Sequence, residues 1–176
     1  MKYFMTLLLV SLTLTACDNS ASSKHNSLAD KTGSKIKTPK QAINFTLPDL
    51  AGKPHRLNEY LEKGPVMLVF FTTWCPYCKK EIPKLKQVYQ QYSEMGLQLV
   101  AINAGLADTL ENAKHYALQH RLPYAVLYDA DARISSQYGL RTVPKIFYIQ
   151  KNGKIKSDSR KVDMKAVSSL LQRSQR

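Results

Sequence analysis

Residues 66–83 constrain the fold more than any other stretch, because they join an uninterrupted apolar segment to two closely spaced cysteines. Residues 66–71 are six consecutive apolar residues without alternation, a pattern typical of a central strand covered on both faces. A helical pattern begins at Cys75 and carries apolar residues at three- and four-residue steps, namely Ile82, Leu85, Val88 and Tyr89. The sequence therefore places Cys75 at the start of a helix that directly follows a core strand.

Cys75 and Cys78 form the candidate reactive pair. The first turn of a helix offers unpaired N–H groups and the positive end of the helix dipole, and both favour a thiolate at Cys75. Cys78 lies one turn further on the same face, so it can close a disulfide with Cys75 or resolve a mixed disulfide formed there. The alternative is a purely structural disulfide, but two cysteines at this spacing after a core strand favour redox chemistry.

The motif Trp74-Cys75-Pro76-Tyr77-Cys78 resembles the W-C-x-x-C active site of the thioredoxin superfamily. Within that superfamily the chain is most similar to the extracytoplasmic TlpA/ResA-type thiol–disulfide oxidoreductases, and the similarity runs from residue 43 to residue 155. It rests on four further segments in the expected order, residues 45–50, 52–53, 78–83 and 142–144. The resemblance implies a thioredoxin-like α/β fold, with a central mixed sheet flanked by helices and an N-terminal β-hairpin extension.

The resemblance also implies a client-binding surface around the cysteines. Val143 and Pro144 correspond to the cis-proline element that thioredoxin-like folds place beside the disulfide. The backbone of Val143 would there pair with an extended client, as an added β-strand. Trp74, Pro76 and Tyr77 would complete this surface.

Glu81 is the candidate general base. It follows Cys78 by three residues on the same helical face. In the family that the chain resembles, an acid at this position is partly buried near the cysteines and accepts the proton of the inner thiol. The alternative is a solvated glutamate that pairs with Lys80 or Lys84 and contributes little.

The N-terminal residues predict a lipoprotein leader. Lys2 precedes a mostly apolar run that is too short to span a membrane and suits a signal peptide. Residues 14–17 resemble a bacterial lipobox, so we expect residues 1–16 to be removed and Cys17 to carry the lipid; an ordinary signal peptide is the alternative. Asp18 resembles the signal for retention in an inner membrane. Residues 17–41 then predict a flexible tether, because they are polar and poor in large apolar residues, and residues 42–176 the thioredoxin-like domain.

Periodicity and turn residues predict alternating strands and helices through this domain. The predicted strands cover residues 45–50, 54–57, 66–71, 97–101, 124–127, 146–149 and 155–157. The predicted helices cover residues 58–61 with Asn58 as cap, 75–95 with a kink at Pro83, 109–120 with Asp108 as cap, 130–138, and 164–172 with Asp163 as cap. Asn152-Gly153 predicts a type I′ hairpin turn.

Two other kinds of chemistry are disfavoured. A zinc site would need more ligands, and His115 and His120 lie on different helical faces far along the chain from the cysteines. A peroxiredoxin-type peroxidase would carry P-x-x-x-T/S-x-x-C, and although Thr72 fits the threonine, Leu68 stands in place of the proline. We expect neither a metal ion nor another cofactor.

The expected function is reduction of disulfides in extracytoplasmic proteins. The net charge of +13 favours anionic lipid heads and acidic partners, and no nucleic-acid motif accompanies it. The resemblance implies a place in the bacterial cell envelope, on an inner membrane facing the periplasm. It also implies an electron donor of the DsbD/CcdA kind, and clients such as apocytochrome c in cytochrome c biogenesis, a copper-site assembly factor or misoxidised proteins. The alternatives are a DsbA-like oxidase or isomerase and a non-catalytic binding module.

Overall fold

The structure is a computed structural model that describes residues 39–172. The predicted signal peptide, the lipidated Cys17 and most of the predicted tether lie outside the described residues. Within residues 39–172, no helix combines the length and the apolar character that crossing a membrane requires.

Seven strands and five helices follow one another along the described chain. The strands are β1 (Thr46–Pro48), β2 (Pro54–Arg56), β3 (Val66–Phe71), β4 (Gln98–Asn103), β5 (Ala125–Tyr128), β6 (Lys145–Ile149) and β7 (Ile155–Ser159). The helices are α1 (Leu57–Lys63), α2 (Pro76–Tyr92), α3 (Leu110–Gln119), α4 (Arg133–Gln137) and α5 (Met164–Gln172).

Five of the strands form one mixed sheet in the order β5-β4-β3-β6-β7. Strand β3 pairs in parallel with β4, and β4 in parallel with β5. Strand β6 runs antiparallel to β3 on its other side, and β7 runs antiparallel to β6. This central mixed sheet with flanking helices confirms the predicted thioredoxin-like α/β fold.

Strand β3 is buried on both faces, which explains its unbroken apolar sequence. All six of its residues are buried. Met67, Val69 and Phe71 belong to one hydrophobic core, which contains side chains of α2 and α5. The alternate residues Leu68 and Phe70 belong to a second core on the opposite face, which also contains side chains from β1, α1 and α4. Strand β3 thus packs against the layers on both of its faces, and its C-terminal end leads directly into the residues before α2.

The predicted N-terminal extension is confirmed as a separate two-stranded hairpin of β1 and β2. Hydrogen bonds and a bridge tie this region to the rest of the domain. The Tyr138 hydroxyl donates to the Ile43 carbonyl at 2.9 Å, and Ala42 N–H donates to the Gly153 carbonyl at 2.8 Å. A bridge pairs Asp49 with Leu127 at the end of β5.

Two predicted helix caps are wrong. Helix α1 begins at Leu57, one residue earlier than predicted, and the N–H of Asn58 donates to the side chain of Asn44 at 3.3 Å. Helix α3 is capped by Thr109, whose hydroxyl accepts from Asn112 N–H at 3.1 Å. Both hydroxyl and carboxylate side chains serve as caps, so Asp108 and Thr109 were adjacent candidates for the cap of α3. The Asp163 cap of α5 is confirmed, because its carboxylate accepts from two backbone N–H groups of the first turn.

Two further helices and one turn also differ from the predictions. Helix α2 ends at Tyr92 rather than at residue 95, and Gly96 follows with a φ of +92°. Helix α4 is shorter than predicted, because the carboxylate of Asp129 holds the chain before it in a turn. The type I′ prediction is wrong: it requires positive φ at both central residues, whereas Gly153 alone takes positive φ there. Pro83 lies inside α2.

Candidate active site

Cys75 occupies the junction between β3 and α2. It is the N-cap residue of α2, with Pro76 at the first helical position, where the missing proline N–H is not needed. The Cys75 sulfur accepts a hydrogen bond from the N–H of Cys78 at 3.1 Å. Its thiol points at the Val143 carbonyl oxygen, 3.6 Å away. The fold therefore sets a sulfur at a helix N-terminus, within reach of the loop that precedes β6.

Cys78 lies beneath Cys75 and is shielded from water. Both cysteines are free thiols in this structure, with exposed fractions of 3% for Cys75 and 4% for Cys78. Burial raises the pKa of the Cys78 thiol far above its ordinary value, and the neighbouring Cys75 raises it further. Cys78 is therefore protonated at neutral pH, and it has to give up that proton before it can act as a nucleophile.

Glu81 is buried beside Cys78, with an exposed fraction of only 7%. One of its carboxylate oxygens accepts a hydrogen bond from the N–H of Val162 at 2.8 Å. Glu81 makes no salt bridge to any residue that the structure describes, so the alternative of a solvated, lysine-paired glutamate is wrong. Glu81, Cys78 and Pro144 line the same enclosed cavity. This cavity, of about 10 Å³, is close to the smallest space that can hold one water molecule.

The loop before β6 supplies the other side of the site. The peptide bond between Val143 and Pro144 is cis, as the resemblance implies. Val143 is partly exposed, whereas Pro144 is buried against the site. Trp74 and Tyr77, on the other side, are 58% and 62% exposed. Of the residues predicted to bind a client, Trp74, Pro76 and Tyr77 are thus exposed beside the cysteines, whereas Val143 is partly exposed and Pro144 is buried.

Asp108 is a buried residue of the site region that the sequence did not reveal as such. Its carboxylate accepts from Thr73 N–H at 2.7 Å, from the Thr73 hydroxyl at 2.8 Å and from the Asn103 side chain at 2.8 Å. These bonds fix the residue that precedes Trp74 and Cys75. Asp108 was predicted to cap α3, and nothing local in the sequence distinguishes a cap from a carboxylate that reaches back 35 residues.

Tyr116 is a second residue that the sequence did not single out. It lines the cavity with Cys78 and Glu81, and its ring stacks on Phe71 with centroids 5.5 Å apart. Its hydroxyl is buried without a hydrogen-bond partner among the described residues. Burial raises its pKa well above the ordinary value, and the nearby Cys78 and Cys75 raise it further. The only sequence signal was its place on the apolar face of α3.

Leu68, at the position where the peroxiredoxin motif has proline, is a central-strand residue. Leu68 lies within β3 and pairs with Val100 of β4 and Phe147 of β6. A proline at a central-strand position would remove an N–H donor from the sheet. The residue that a peroxiredoxin motif requires would therefore be unfavourable in this strand.

A dithiol at the start of the helix that follows the central strand of a mixed sheet, facing a cis-proline loop, defines a thioredoxin-like redox protein. Residues 38–158 match the model of the AhpC/TSA family. The chain is 36% identical over 115 residues to the thiol–disulfide oxidoreductase ResA of Geobacillus thermodenitrificans, covering 65% of this chain and 64%, just under two thirds, of that relative. It is 36% identical over 121 residues to ResA of Bacillus thuringiensis subsp. konkukian, covering 69% and 68%.

A solved structure is also similar to this chain. The structure of a Chlorobium tepidum protein assigned as the thiol:disulfide interchange protein DsbE superposes with a TM-score of 0.65. It is 25% identical in sequence, and the superposition covers 77% of this chain and 94% of that one. The chain thus belongs to the AhpC/TSA family, and it is a thiol–disulfide oxidoreductase like its relatives named ResA.

Proposed function

We propose that this oxidoreductase works as a reductase of disulfides in extracytoplasmic client proteins. The observation that carries the proposal is the arrangement of Cys75, Cys78 and Glu81 at the head of α2. Cys75 is the outer sulfur and meets the client, Cys78 is the inner sulfur, and Glu81 is the buried carboxylate beside it. The reducing direction is the one that the resemblance to TlpA/ResA-type proteins favours.

The reaction begins with attack by the Cys75 thiolate on one sulfur of the client disulfide. A bond forms between the Cys75 sulfur and that client sulfur, and the second client sulfur leaves as a thiolate that takes up a proton. Cys78 gives its proton to Glu81 and attacks the Cys75 sulfur. This breaks the mixed disulfide and releases the other client sulfur, which is protonated in turn. The client gains two electrons and two protons, and Cys75 and Cys78 become a disulfide.

Glu81 has the surroundings that such a proton acceptor needs. Because burial disfavours the Cys78 thiolate, the attack of Cys78 requires a base within the cavity rather than in bulk water. A buried carboxylate that shares the cavity with this thiol meets that requirement. Val162 N–H holds the carboxylate in place through its hydrogen bond.

The proposal includes a membrane anchor and a membrane electron donor. Cys17 would carry the lipid, residues 17–41 would act as the tether, and the domain would face the periplasm from the inner membrane. A donor of the DsbD/CcdA kind would return the Cys75–Cys78 disulfide to the dithiol. Clients would be apocytochrome c, a copper-site assembly factor or misoxidised proteins.

The reduction potential of the Cys75–Cys78 pair tests the proposed direction. The full chain, in detergent, would be equilibrated against thiol buffers. The fluorescence of Trp74, the one tryptophan of the sequence, would report the redox state of the adjacent pair. A potential near or below about −220 mV supports a reductase. A potential of about −120 to −150 mV would overturn the reducing direction and indicate an oxidase.

A separate experiment tests the anchor. Cells expressing the chain would be grown with a labelled fatty acid, and the label would be followed into the protein. We expect incorporation into the unsubstituted chain and none into Cys17→Ser. Equal labelling of both, or of neither, contradicts lipidation at Cys17.

A further inference from the structure

An open groove begins at the redox site and extends along the surface beside it. Tyr77 from the first turn of α2 and Pro144 from the cis-proline loop lie at the end nearest the cysteines. Residues 159–165, from the last residue of β7 to the first turn of α5, form the other wall. The groove has a volume of about 1010 Å³, at the upper end of the usual range for small-molecule pockets of roughly 300–1,000 Å³. It therefore has room for a polypeptide segment that leads away from the site.

The groove is strongly basic. Its lining includes five exposed cationic side chains, which are Lys80, Lys84, Arg160, Lys161 and Lys165. None of these five is in a salt bridge with any of residues 39–172. Lys80 lies over the ring of Tyr77, 5.5 Å from its centroid, so positive charge reaches the rim of the redox site.

Both carboxylates of the groove are already engaged with backbone donors. Glu81 is buried and accepts from the N–H of Val162. Asp163 caps α5 by accepting from the N–H groups of Lys165 and Ala166 at 2.9 and 3.1 Å. Neither carboxylate forms a salt bridge with these cations, and five cations outnumber two carboxylates, so the groove keeps a net positive charge for a ligand of opposite sign.

We propose that this groove binds an extended acidic segment of the client, rich in Asp and Glu, that lies next to the disulfide being reduced. The proposal rests on the proposed function and adds the chemical class of its clients. The groove is continuous with Tyr77 and Pro144, which border the cysteines, and this continuity favours a client chain over a lipid surface. A segment lying in the groove would be covalently continuous with the sulfur that Cys75 attacks.

Charge complementarity between the groove and a client would raise the rate of association and would favour acidic clients over neutral ones. Opposite charges raise association rates by about 10- to 10³-fold at low ionic strength. The effect falls when salt shortens the screening distance from about 10 Å at 0.1 M to about 3 Å at 1 M. An acidic client would thus be reduced faster than a neutral one, with a difference that salt abolishes.

Three peptides with the same intramolecular disulfide test the proposal. Their flanking residues would be Glu and Asp in one, Gln and Asn in the second, and Lys in the third. The pre-reduced full chain in detergent would be mixed with each peptide, and Trp74 fluorescence would give the second-order rate constant. We expect the acidic peptide to react about tenfold faster than the neutral one, with the basic peptide slowest and all three similar at 1 M salt.

Matched triple substitutions locate the effect. Lys84→Gln, Arg160→Gln and Lys161→Gln together should bring the ratio of acidic to neutral rate constants close to one. The control removes the same charge from exposed lysines outside the groove, Lys53, Lys63 and Lys114, and should leave the ratio near tenfold. Circular dichroism would verify that both triple variants are folded.

The outcomes separate this proposal from the proposed function. If the unsubstituted chain reduces all three peptides at equal rates, the acidic-client proposal is wrong and the reductase activity stands. If it reduces none of them, the proposed function itself fails. If the groove substitutions abolish binding to vesicles with anionic headgroups but leave the peptide ratio unchanged, the groove is a lipid-binding surface and the client proposal is overturned.

Discussion

Cys78 and Glu81 share an enclosed cavity, and the raised pKa of Cys78 makes its reactivity depend on that neighbour. Glu81→Gln keeps the size of the side chain and removes its ability to accept a proton. We expect the second step of the reaction to slow by about 10²-fold, the lower end of the range for general bases. The mixed disulfide at Cys75 should then accumulate, which acid quenching and mass spectrometry would detect.

The control for this prediction is Glu94→Gln, because Glu94 is exposed and lies after the end of α2. It should show no accumulation of mixed disulfide. If Glu81→Gln also fails to accumulate the intermediate, or slows only the first attack by Cys75, the proposed role of Glu81 is wrong.

Asp108 shows how one buried carboxylate can fix the approach to the site. It accepts two hydrogen bonds from Thr73 and one from Asn103. Asp108→Asn would replace one acceptor oxygen by an NH₂ group. That group would face the donors of Thr73 and Asn103 without being able to accept from them. Because charge-assisted hydrogen bonds are the stronger ones, we expect the free energy of unfolding to fall by about 2–3 kcal/mol.

Urea unfolding of the reduced protein would measure this loss. Glu62→Gln, an exposed position in α1, should change stability by less than about 0.5 kcal/mol. Equal stability of Asp108→Asn and the unsubstituted chain would show that the network around Thr73 does not stabilise the fold.

The backbone just before helix α4 is strained, and a substitution can relieve the strain. The residue before it, Ala132, has a φ of +53°, which places a Cβ in the left-handed region, where it costs about 1–2 kcal/mol. Ala132→Gly removes that Cβ, and the greater freedom of glycine in the unfolded chain offsets part of the gain. We expect a net stabilisation of about 0.5–1 kcal/mol.

The matched substitution is Ala117→Gly in the last turn of α3, where glycine should destabilise by about 1 kcal/mol. Thermal unfolding of the two variants should therefore move the midpoint in opposite directions. A loss of stability in Ala132→Gly would contradict the strain interpretation.

The elements that the sequence predicted correctly carry local signals. Strand β3 is marked by its unbroken apolar run, and α2 by the periodicity that starts after Cys75. The predicted range for α4 is too long, because the start of this helix depends on Asp129. The Asp129 carboxylate accepts from the backbone N–H groups of Ile134 and Ser135, further along the chain. Periodicity reports which face of an element is apolar, but it does not report which side chain competes for the first N–H groups.

The site also contains residues that local sequence signals identify and residues that such signals do not identify. Cys75 and Cys78 were identified from their spacing and their place after a strand, and the cis bond before Pro144 from the family resemblance. The contact of Asp108 with Thr73 and the bond from Val162 to Glu81 join residues 35 and 81 positions apart. Contacts of that kind exist only once the sheet has brought α2, α3 and α5 together, so no local pattern in a single sequence announces them.

Alkaline pH should destabilise the whole reduced molecule. Burial raises the pKa of Cys78 and of Tyr116, Tyr124 and Tyr138, so these groups stay protonated in the folded state at a pH where they ionise in the unfolded state. Their contribution to stability is complete below the unfolded pKa values, about 8.5 for cysteine and 10 for tyrosine, and is lost as pH rises above them. The slope is up to about 1.4 kcal/mol per pH unit for each group.

Urea unfolding of the reduced protein between pH 7 and 10.5 would measure this loss. We expect stability to decline from about pH 8.5, where the cysteine begins to ionise in the unfolded chain. In Cys78→Ala the decline between pH 8.5 and 10 should be smaller, because the buried thiol is gone. Parallel curves for the two proteins through that interval would contradict the assignment of this loss to Cys78.

The bond between Ala42 and Gly153 has a consequence for how the molecule presents its dithiol. Gly153 lies in the turn after β6, at the end of the sheet where Val66 of β3 pairs with Ile149. Cys75 follows the opposite end of β3, and six strand residues at about 3.3 Å each span about 20 Å. The chain thus enters the domain at the pole remote from its chemistry. A partner bound where the chain enters the domain, at Ala42, would therefore leave the surface around Cys75 free for an arriving protein.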